Sequence, residues 1–309
     1  MQRAIATPPI PVSIVGGYLG AGKTTLVNNL LRQADGQRLT VLVNDFGELP
    51  IDQDLIEGRD GDVLSIAGGC ICCSYGSDLM ASLVDIGSWD PRPDHLLIEA
   101  SGVSLPLSIA QSVSLVSHYR IDGIIVLADA EAVRVQGQDR YLVDTIAGQL
   151  AAADLIVLNK IDLASAESLE ETRQWLAETA PESRIIETVK AKAPLTELLA
   201  IGIERISAFS PDKGPQHHGN RFSTASFEID RLVAPEALAK GLAARELGLV
   251  RSKGFVRAPD GRLRIVQTVG NRWTVTDAPS DDGRASIVVC IAYPHPVDTE
   301  AVSRLIGAV

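Results

Sequence analysis

Aromatic residues are scarce in this chain of 309 residues: Phe, Tyr and Trp together make 4%. A core with so few rings has to be built from Val, Ile, Leu and Ala. Basic residues are also in deficit. Lys plus Arg is 28 against 39 Asp plus Glu, which gives a formal charge of −11. The basic surface needed to neutralise nucleic-acid phosphates is therefore missing. No apolar run approaches the ~20 residues of a membrane span. Residues 1–11 hold one Arg and lack the apolar stretch of roughly 7–15 residues that a signal peptide carries. The expectation is a cytoplasmic protein with neither nucleic acid nor membrane as partner. Cysteine is rare, and three of the four fall together in Cys70-Ile71-Cys72-Cys73. Such clustering makes a poor disulfide framework. Cys290, inside the apolar run 287–292, reads as a buried core residue. What is present is ordinary globular composition, 46% hydrophobic and 22% charged, long enough for one large domain or two smaller ones.

Short apolar runs rich in β-branched residues recur through the first two thirds, at Val12–Val15, Leu39–Val43, Val63–Ile66, Leu96–Ile98, Ile124–Ala128, Leu155–Leu158 and Ile185–Ile186. Each is too short for a helix, and strands buried on both faces read this way. Helical patterns lie between some of them, at Thr24–Gln33 and Ser165–Glu178. Strand–helix alternation predicts an α/β fold with a mostly parallel, helix-flanked sheet over residues 1–206. Residues 207–221 hold two Pro, two Gly and the pair His217-His218, and read as a linker. Residues 222–309 read as a smaller α+β domain. An alternating strand around Ala225, Phe227 and Ile229 precedes a helix from Pro235 to about Glu246. Further strands are expected at Lys253–Arg257, Leu263–Thr268 and Arg272–Thr276, with a turn at Asp260-Gly261.

Gly17-Tyr-Leu-Gly20-Ala21-Gly22-Lys23-Thr24-Thr25 fits the pattern G-x-x-x-x-G-K-S/T of a phosphate loop, between a buried strand and a helix. Glycines let successive N–H groups face phosphate oxygens, and the helix start adds partial positive charge. Lys23 reaches the β- and γ-phosphates, and the Thr24 hydroxyl can bind Mg²⁺. Glu99 ends the strand Leu96–Ile98, where a carboxylate contacts Mg²⁺ through water. Gly102 can bring its N–H to the γ-phosphate. Asn159-Lys160-Ile161-Asp162 follows the strand Leu155–Leu158. A carboxylate at Asp162 can accept from guanine N1–H and the N2 amino group, donors that adenine does not present in that arrangement. Asn159 can orient the loop and Lys160 can lie over the base. The order of these motifs favours GTP over ATP. Ala191, or its neighbours Val189 and Lys190, can meet the base from the other side. The bland alternatives are a glycine-rich turn and a strand that happens to end in Glu.

Soft thiolates at Cys70, Cys72 and Cys73 select Zn²⁺ or Cu(I) and also fit Co²⁺. Three cannot close a tetrahedral site, so Glu48, Asp45, His118 or a residue of an acceptor protein is the remaining ligand. An exchangeable position suits transfer. Packing of small residues and a redox pair are the alternatives. Asp45 and Glu48, in Asn44-Asp45-Phe46-Gly47-Glu48, lie where a nucleotide-sensing segment belongs. They could orient the attacking water, help hold Mg²⁺ or complete the thiolate site; a polar turn is the plain alternative. His95, which precedes a strand, carries no such signal.

The order of these residues resembles the CobW-like family of metal-handling P-loop GTPases, relatives of the UreG and HypB nickel-insertion GTPases. The resemblance runs through Gly16–Thr25, Asn44–Glu48 with Asp52, Gly69–Cys73, Glu99–Gly102 and Asn159–Asp162. It is looser around Arg251–Gly254 and Leu263–Thr268. It implies binding of GTP with Mg²⁺, slow hydrolysis and delivery of Zn²⁺ or Co²⁺ to a client. Two departures stand out. The family often has Glu where this chain has Asp45, one methylene shorter. Many members carry a His-rich tract after the GTPase domain, reduced here to His217 and His218, which weakens a storage role and leaves transfer intact.

The resulting reading is a slow GTPase and metallochaperone. Lys23, Thr24, Asp45 and Glu99 serve catalysis. Gly17, Gly20, Ala21, Gly22, Lys23, Thr24, Thr25, Gly102, Asn159, Lys160 and Asp162 bind GTP or GDP. Cys70, Cys72, Cys73 and Glu48 hold Zn²⁺, with Co²⁺ as an alternative, and Thr24 and Glu99 hold Mg²⁺. The expected partners are a client metalloprotein and, as an option, a second copy in a nucleotide-dependent homodimer. The competing readings are a metal buffer or sensor that uses GTP as a structural ligand, and a regulatory GTPase with a structural metal.

Overall fold

The computed structural model describes residues 8–34, 36–44, 63–66, 77–199, 216–218, 222–278, 285–292 and 295–309. They fall into two compact units, one of Pro9–Leu195 and the other of Thr196–Val309 together with Pro8.

The first unit is an α/β layer structure. Its strands are β1 (Ile10–Gly17), β2 (Leu39–Asn44), β3 (Val63–Ile66), β4 (His95–Glu99), β5 (Tyr119–Asp129), β6 (Leu155–Asn159) and β7 (Arg184–Thr188). They pair in the order β3-β2-β4-β1-β5-β6-β7, and every described pairing is parallel. The helices are α1 (Lys23–Gln33), α2 (Ser77–Gly87), α3 (Pro106–Ser114), α4 (Val133–Gln138), α5 (Val143–Ala151) and α6 (Ala166–Thr179). Both faces of the sheet are covered, which is why its strands read as unbroken apolar runs. Val12, Ile14, Ile98 and Val126 join Leu83, Val113, Ile146 and Leu176 of the helices in one buried cluster. Leu26, Val27 and Leu30 bury the inner stripe of α1. Strand β5 starts earlier than its apolar core: Tyr119, Arg120 and Ile121 already pair with β1, and Asp122 falls at a shift of register before Gly123. Ser165 caps α6 by accepting from the Ser168 N–H, an ordinary N-cap.

The chain runs from central β1 to β2 past the position of β4, and later passes from β4 to β5 on the other side of β1. The strand order reverses there, and the carboxyl ends of β1, β4 and β6 gather on that edge. Such a switch point is where open α/β sheets bind ligands.

The second unit is an antiparallel α+β layer. Strands β8 (Gln216–His218), β9 (Phe222–Ile229), β10 (Leu249–Arg257), β11 (Leu263–Val269), β12 (Arg272–Asp277) and β13 (Ser286–Ala292) pair as β12-β11-β10-β13-β9-β8. Helices α7 (Pro235–Leu242) and α8 (Thr299–Ala308) supply Leu238, Leu242, Val302 and Ile306 to its core. The β10–β11 hairpin turns at Asp260-Gly261, with Gly261 at φ 79. Pro235 sits in the first turn of α7, as expected, but the helix stops at Leu242. A 3₁₀ turn follows at Arg245–Leu247, closed by left-handed Gly248. Within the stretch read as a linker, residues 216–218 form β8. Cys290 is buried in β13.

Candidate nucleotide and metal site

The site begins where β1 meets α1. Gly17 has φ 127, and a Cβ there would lie 2.3 Å from the Leu127 carbonyl oxygen. Gly22 caps α1 at φ 106, and a Cβ would lie 2.5 Å from Asn159 Nδ2. Both positions need glycine for backbone angle and for space. The first turn of α1 has no acidic residue, so the positive end of the helix dipole is left to an anion. Lys23 is 8% exposed, and its Nζ lies 3.5 Å from the Tyr18 carbonyl. Gly20 has φ 78, Ala21 is buried and Thr25 is exposed.

The Thr24 hydroxyl donates to Glu99 Oε1 at 2.9 Å. Glu99 is 2% exposed and closes β4 beside Val15 of β1. A hydroxyl and a carboxylate at this distance form a hard oxygen pair of the kind Mg²⁺ takes. Beyond Glu99, Gly102 lies against the phosphate loop, where a Cβ would meet the Leu19 backbone N at 2.9 Å. Gln149, a buried side chain of α5, donates to the carbonyls of Gly102 and Ser104 at 3.1 and 3.0 Å.

The third wall is the end of β6. Asn159 Nδ2 donates to the Ala21 carbonyl at 2.9 Å. Its Oδ1 accepts from the Ala191 N–H at 2.7 Å and from the Thr188 hydroxyl at 3.2 Å. One buried amide thus joins the phosphate loop, the end of β6 and the loop after β7. Lys160 is left-handed at φ 63, and its ammonium pairs with Asp129 Oδ2 at 2.6 Å. Asp129 faces Asn159 in the β5–β6 register. Asp162 is exposed in the turn after β6. Lys23, Thr24, Glu99, Gly102, Asn159, Lys160 and Asp162 are therefore drawn to one edge from three strand ends, those of β1, β4 and β6. The sequence patterns did not reveal Asp129 or Gln149, whose relevance depends on which distant segment they meet.

Asp45, Glu48, Asp52, Cys70, Cys72 and Cys73 lie outside the described residues. The described residues contain no group of three or more His, Cys, Asp or Glu that could hold a metal. Ile66, the last described residue before the cysteines, ends β3 on the carboxyl edge of the sheet. His118 precedes β5 at the opposite edge, where its carbonyl accepts from the Ile10 N–H. His95 is buried at that same far edge, with Nε2 2.9 Å from Ser13 Oγ. No helix among the described residues is long and apolar enough to cross a membrane.

Comparison with known proteins matches residues 11–187 to the family model "CobW/HypB/UreG, nucleotide-binding domain". Residues 222–309 match "Cobalamin synthesis protein cobW C-terminal domain". The chain is 31% identical over 305 residues to a protein of Sinorhizobium named "Zinc chaperone CobW", covering 85% of this chain and 86% of the relative. A protein of the same name from Pseudomonas aeruginosa is 32% identical over 307 residues, covering 85% and 81%. Among solved structures, Zn(II)-bound YjiA GTPase from E. coli aligns at 21% identity and a TM-score of 0.48, over 98% of this chain and 99% of that one.

Proposed function

The chain belongs to the CobW/HypB/UreG nucleotide-binding family, and on that premise we propose that it is a GTP-hydrolysing metallochaperone. It carries Zn²⁺, with Co²⁺ as the alternative, on Cys70, Cys72 and Cys73 with Glu48, and passes the ion to a client metalloprotein. The observation that carries the nucleotide half is the Asn159 bridge to Ala21 and Ala191. It fixes the base-reading segment at a set distance from the phosphate loop, so the site measures a whole nucleotide. Support for the metal half comes from the three cysteines and from the zinc-chaperone designation of the relatives in Sinorhizobium and Pseudomonas.

The chemistry follows from residue types. Lys23 exchanges the Tyr18 carbonyl for the β- and γ-phosphates, and the N–H groups from Gly17 to Thr25 stabilise charge on the transferring phosphoryl group. Thr24 and Glu99 would hold Mg²⁺, which when bound neutralises phosphate charge. Gly102 offers its N–H to the γ-phosphate, and Asp45 orients the attacking water. Asp162 accepts from guanine N1–H and N2, while Asn159 and Lys160 border the base. No arginine finger is evident in the sequence, so intrinsic turnover is slow. Asp45, Glu48 and the cysteines all fall between Lys23 and Glu99 in sequence. A contact between that segment and the γ-phosphate would change thiolate geometry, and nucleotide state would govern metal affinity in this way.

The test is phosphate release from GTP and from ATP by the purified protein, with Lys23→Ala beside it. Slow release from GTP alone, lost in Lys23→Ala, is expected. Equal release from ATP, or full activity in Lys23→Ala, overturns the nucleotide reading. Zinc binding retained at full affinity in Cys72→Ser overturns the metal reading.

A further inference from the structure

Helix α1 buries one stripe in the first unit and turns two amides, one turn apart, toward the loop after β7. Asn29 Nδ2 donates to the Lys190 carbonyl and to the Ala191 carbonyl, each at 3.0 Å. Gln33 Nε2 donates to the Ala193 carbonyl at 3.1 Å, and its Oε1 accepts from the Leu195 N–H at 2.9 Å. The two amides are also set locally: Gln33 Nε2 donates to the Asn29 carbonyl, and Arg32 donates to Asn29 Oδ1. Two side chains of one helix thus bind four backbone groups of a single short loop.

That loop has an unusual path. Lys190 and Ala191 are consecutive non-glycine residues at φ 53 and φ 49. L-residues visit this left-handed region rarely, and then usually as single residues. The contorted peptide is gripped on both sides, by Asn29 through its carbonyls and by Asn159 through the Ala191 N–H. Asn159 in turn holds Ala21 of the phosphate loop, and α1 begins at Lys23. The loop is therefore tied to the phosphate end of the site by two routes.

We propose that Asn29 and Gln33 are positioning residues for base selectivity. They hold residues 190–195 in the path that walls the guanine pocket, and through α1 they link that wall to the phosphate loop. The inference rests on the GTP reading above. Both amides are engaged with loop backbone. Asn29 is half-buried and Gln33 is exposed, and removing either leaves Leu26, Val27 and Leu30 in place. Their loss should therefore cost base recognition and spare phosphate binding.

The experiment compares the unsubstituted full chain with Asn29→Ala, Gln33→Glu and the Asn29→Ala/Gln33→Ala double variant. Gln33→Glu keeps an acceptor for Leu195 and loses the donor to Ala193. A fluorescent GDP derivative gives affinity and release rate, with ADP and inorganic tripolyphosphate as competitors, and thermal midpoints are read alongside. The double variant is expected to bind GDP about tenfold or more weakly, to release it faster and to discriminate less against ADP. Its tripolyphosphate affinity should be unchanged, its thermal midpoint modestly lowered with a single cooperative transition retained, and Gln33→Glu should fall between. Unchanged GDP affinity in the double variant overturns the proposal. Equal loss of tripolyphosphate binding also overturns it, because α1 itself is then disturbed. Failure to prefer GDP over ADP in the unsubstituted protein brings down the GTP reading and this proposal with it, and that result is visible before any substitution is made.

Discussion

Thr24 Oγ1 and Glu99 Oε1 lie 2.9 Å apart, with the hydroxyl donating. The first residue belongs to the turn that opens α1 and the second ends β4, so the bond ties the phosphate loop to the next strand of the sheet. Glu99→Gln keeps the shape and an oxygen but removes the charge. Phosphate release from GTP in Mg²⁺ should fall roughly 10²–10³-fold, the usual cost of one lost electrostatic contact at a reacting phosphoryl or acyl group. GDP binding in the absence of Mg²⁺ should persist. Full hydrolysis by Glu99→Gln would remove Glu99 from the chemistry.

In the proposed site Asp162 would read the base through two accepted hydrogen bonds. Asp162→Asn replaces one acceptor by a donor and removes the charge. Guanine affinity should drop about 10- to 150-fold, corresponding to ~1.5–3 kcal/mol for a bond to a charged group. Xanthine, which carries a carbonyl where guanine has an amino group, should gain. Competition binding with GDP and XDP checks both, and an unaltered ranking would place base recognition elsewhere.

Gln149 satisfies two carbonyls, those of Gly102 and Ser104, from a buried position. Gln149→Leu fills the same space and leaves both oxygens unpaired. A stability loss of about 1–3 kcal/mol is expected from urea unfolding. An unchanged midpoint would mean that the Gly102–Ser104 segment finds other partners.

Burial pushes the Cys290 thiol from 9.0 up to about 12. Its unfolded form ionises near pH 9, while its folded form stays neutral far above that. The stability it contributes is therefore complete below pH 9 and is lost as pH rises toward 12. Tyr119, pushed by burial from 10.0 to about 12, acts in the same direction from a slightly higher pH. Urea midpoints should fall between pH 9 and pH 11. Native protein at pH 8 should leave Cys290 unalkylated by peptide mapping, and rapid modification there would contradict its burial.

Much of this was legible in the sequence, for physical reasons that differ by element. Strands of the first sheet are covered on both faces, so Val12–Val15 and Leu155–Leu158 announced themselves as apolar runs. The start of β5 did not, because Arg120 and Asp122 interrupt the pattern. Helix α7 was visible at Pro235, but its end was not. Ala243 and Ala244 carry no stop signal, and the chain leaves the helix there before the 3₁₀ turn at Arg245–Leu247. Strand β8 is three residues long, too short for alternation to register. The phosphate loop and Asn159–Asp162 are local motifs and could be read directly. Asn29, Gln33 and Gln149 could not. Their partners are backbone groups far away in sequence, and an amide on a helix surface has no pattern that distinguishes it from a solvated one.

The central claim is that nucleotide state governs metal affinity. It is tested most directly by titrating the protein with Zn²⁺, and then with Co²⁺, against a competing chelator. One series holds Mg²⁺ and a non-hydrolysable GTP analogue, and the other holds GDP. A difference of about 5- to 150-fold between the two states, the range for a coupling of ~1–3 kcal/mol, is the predicted result. Identical affinities in both states would contradict the account and leave a metal buffer that holds GTP as a structural ligand.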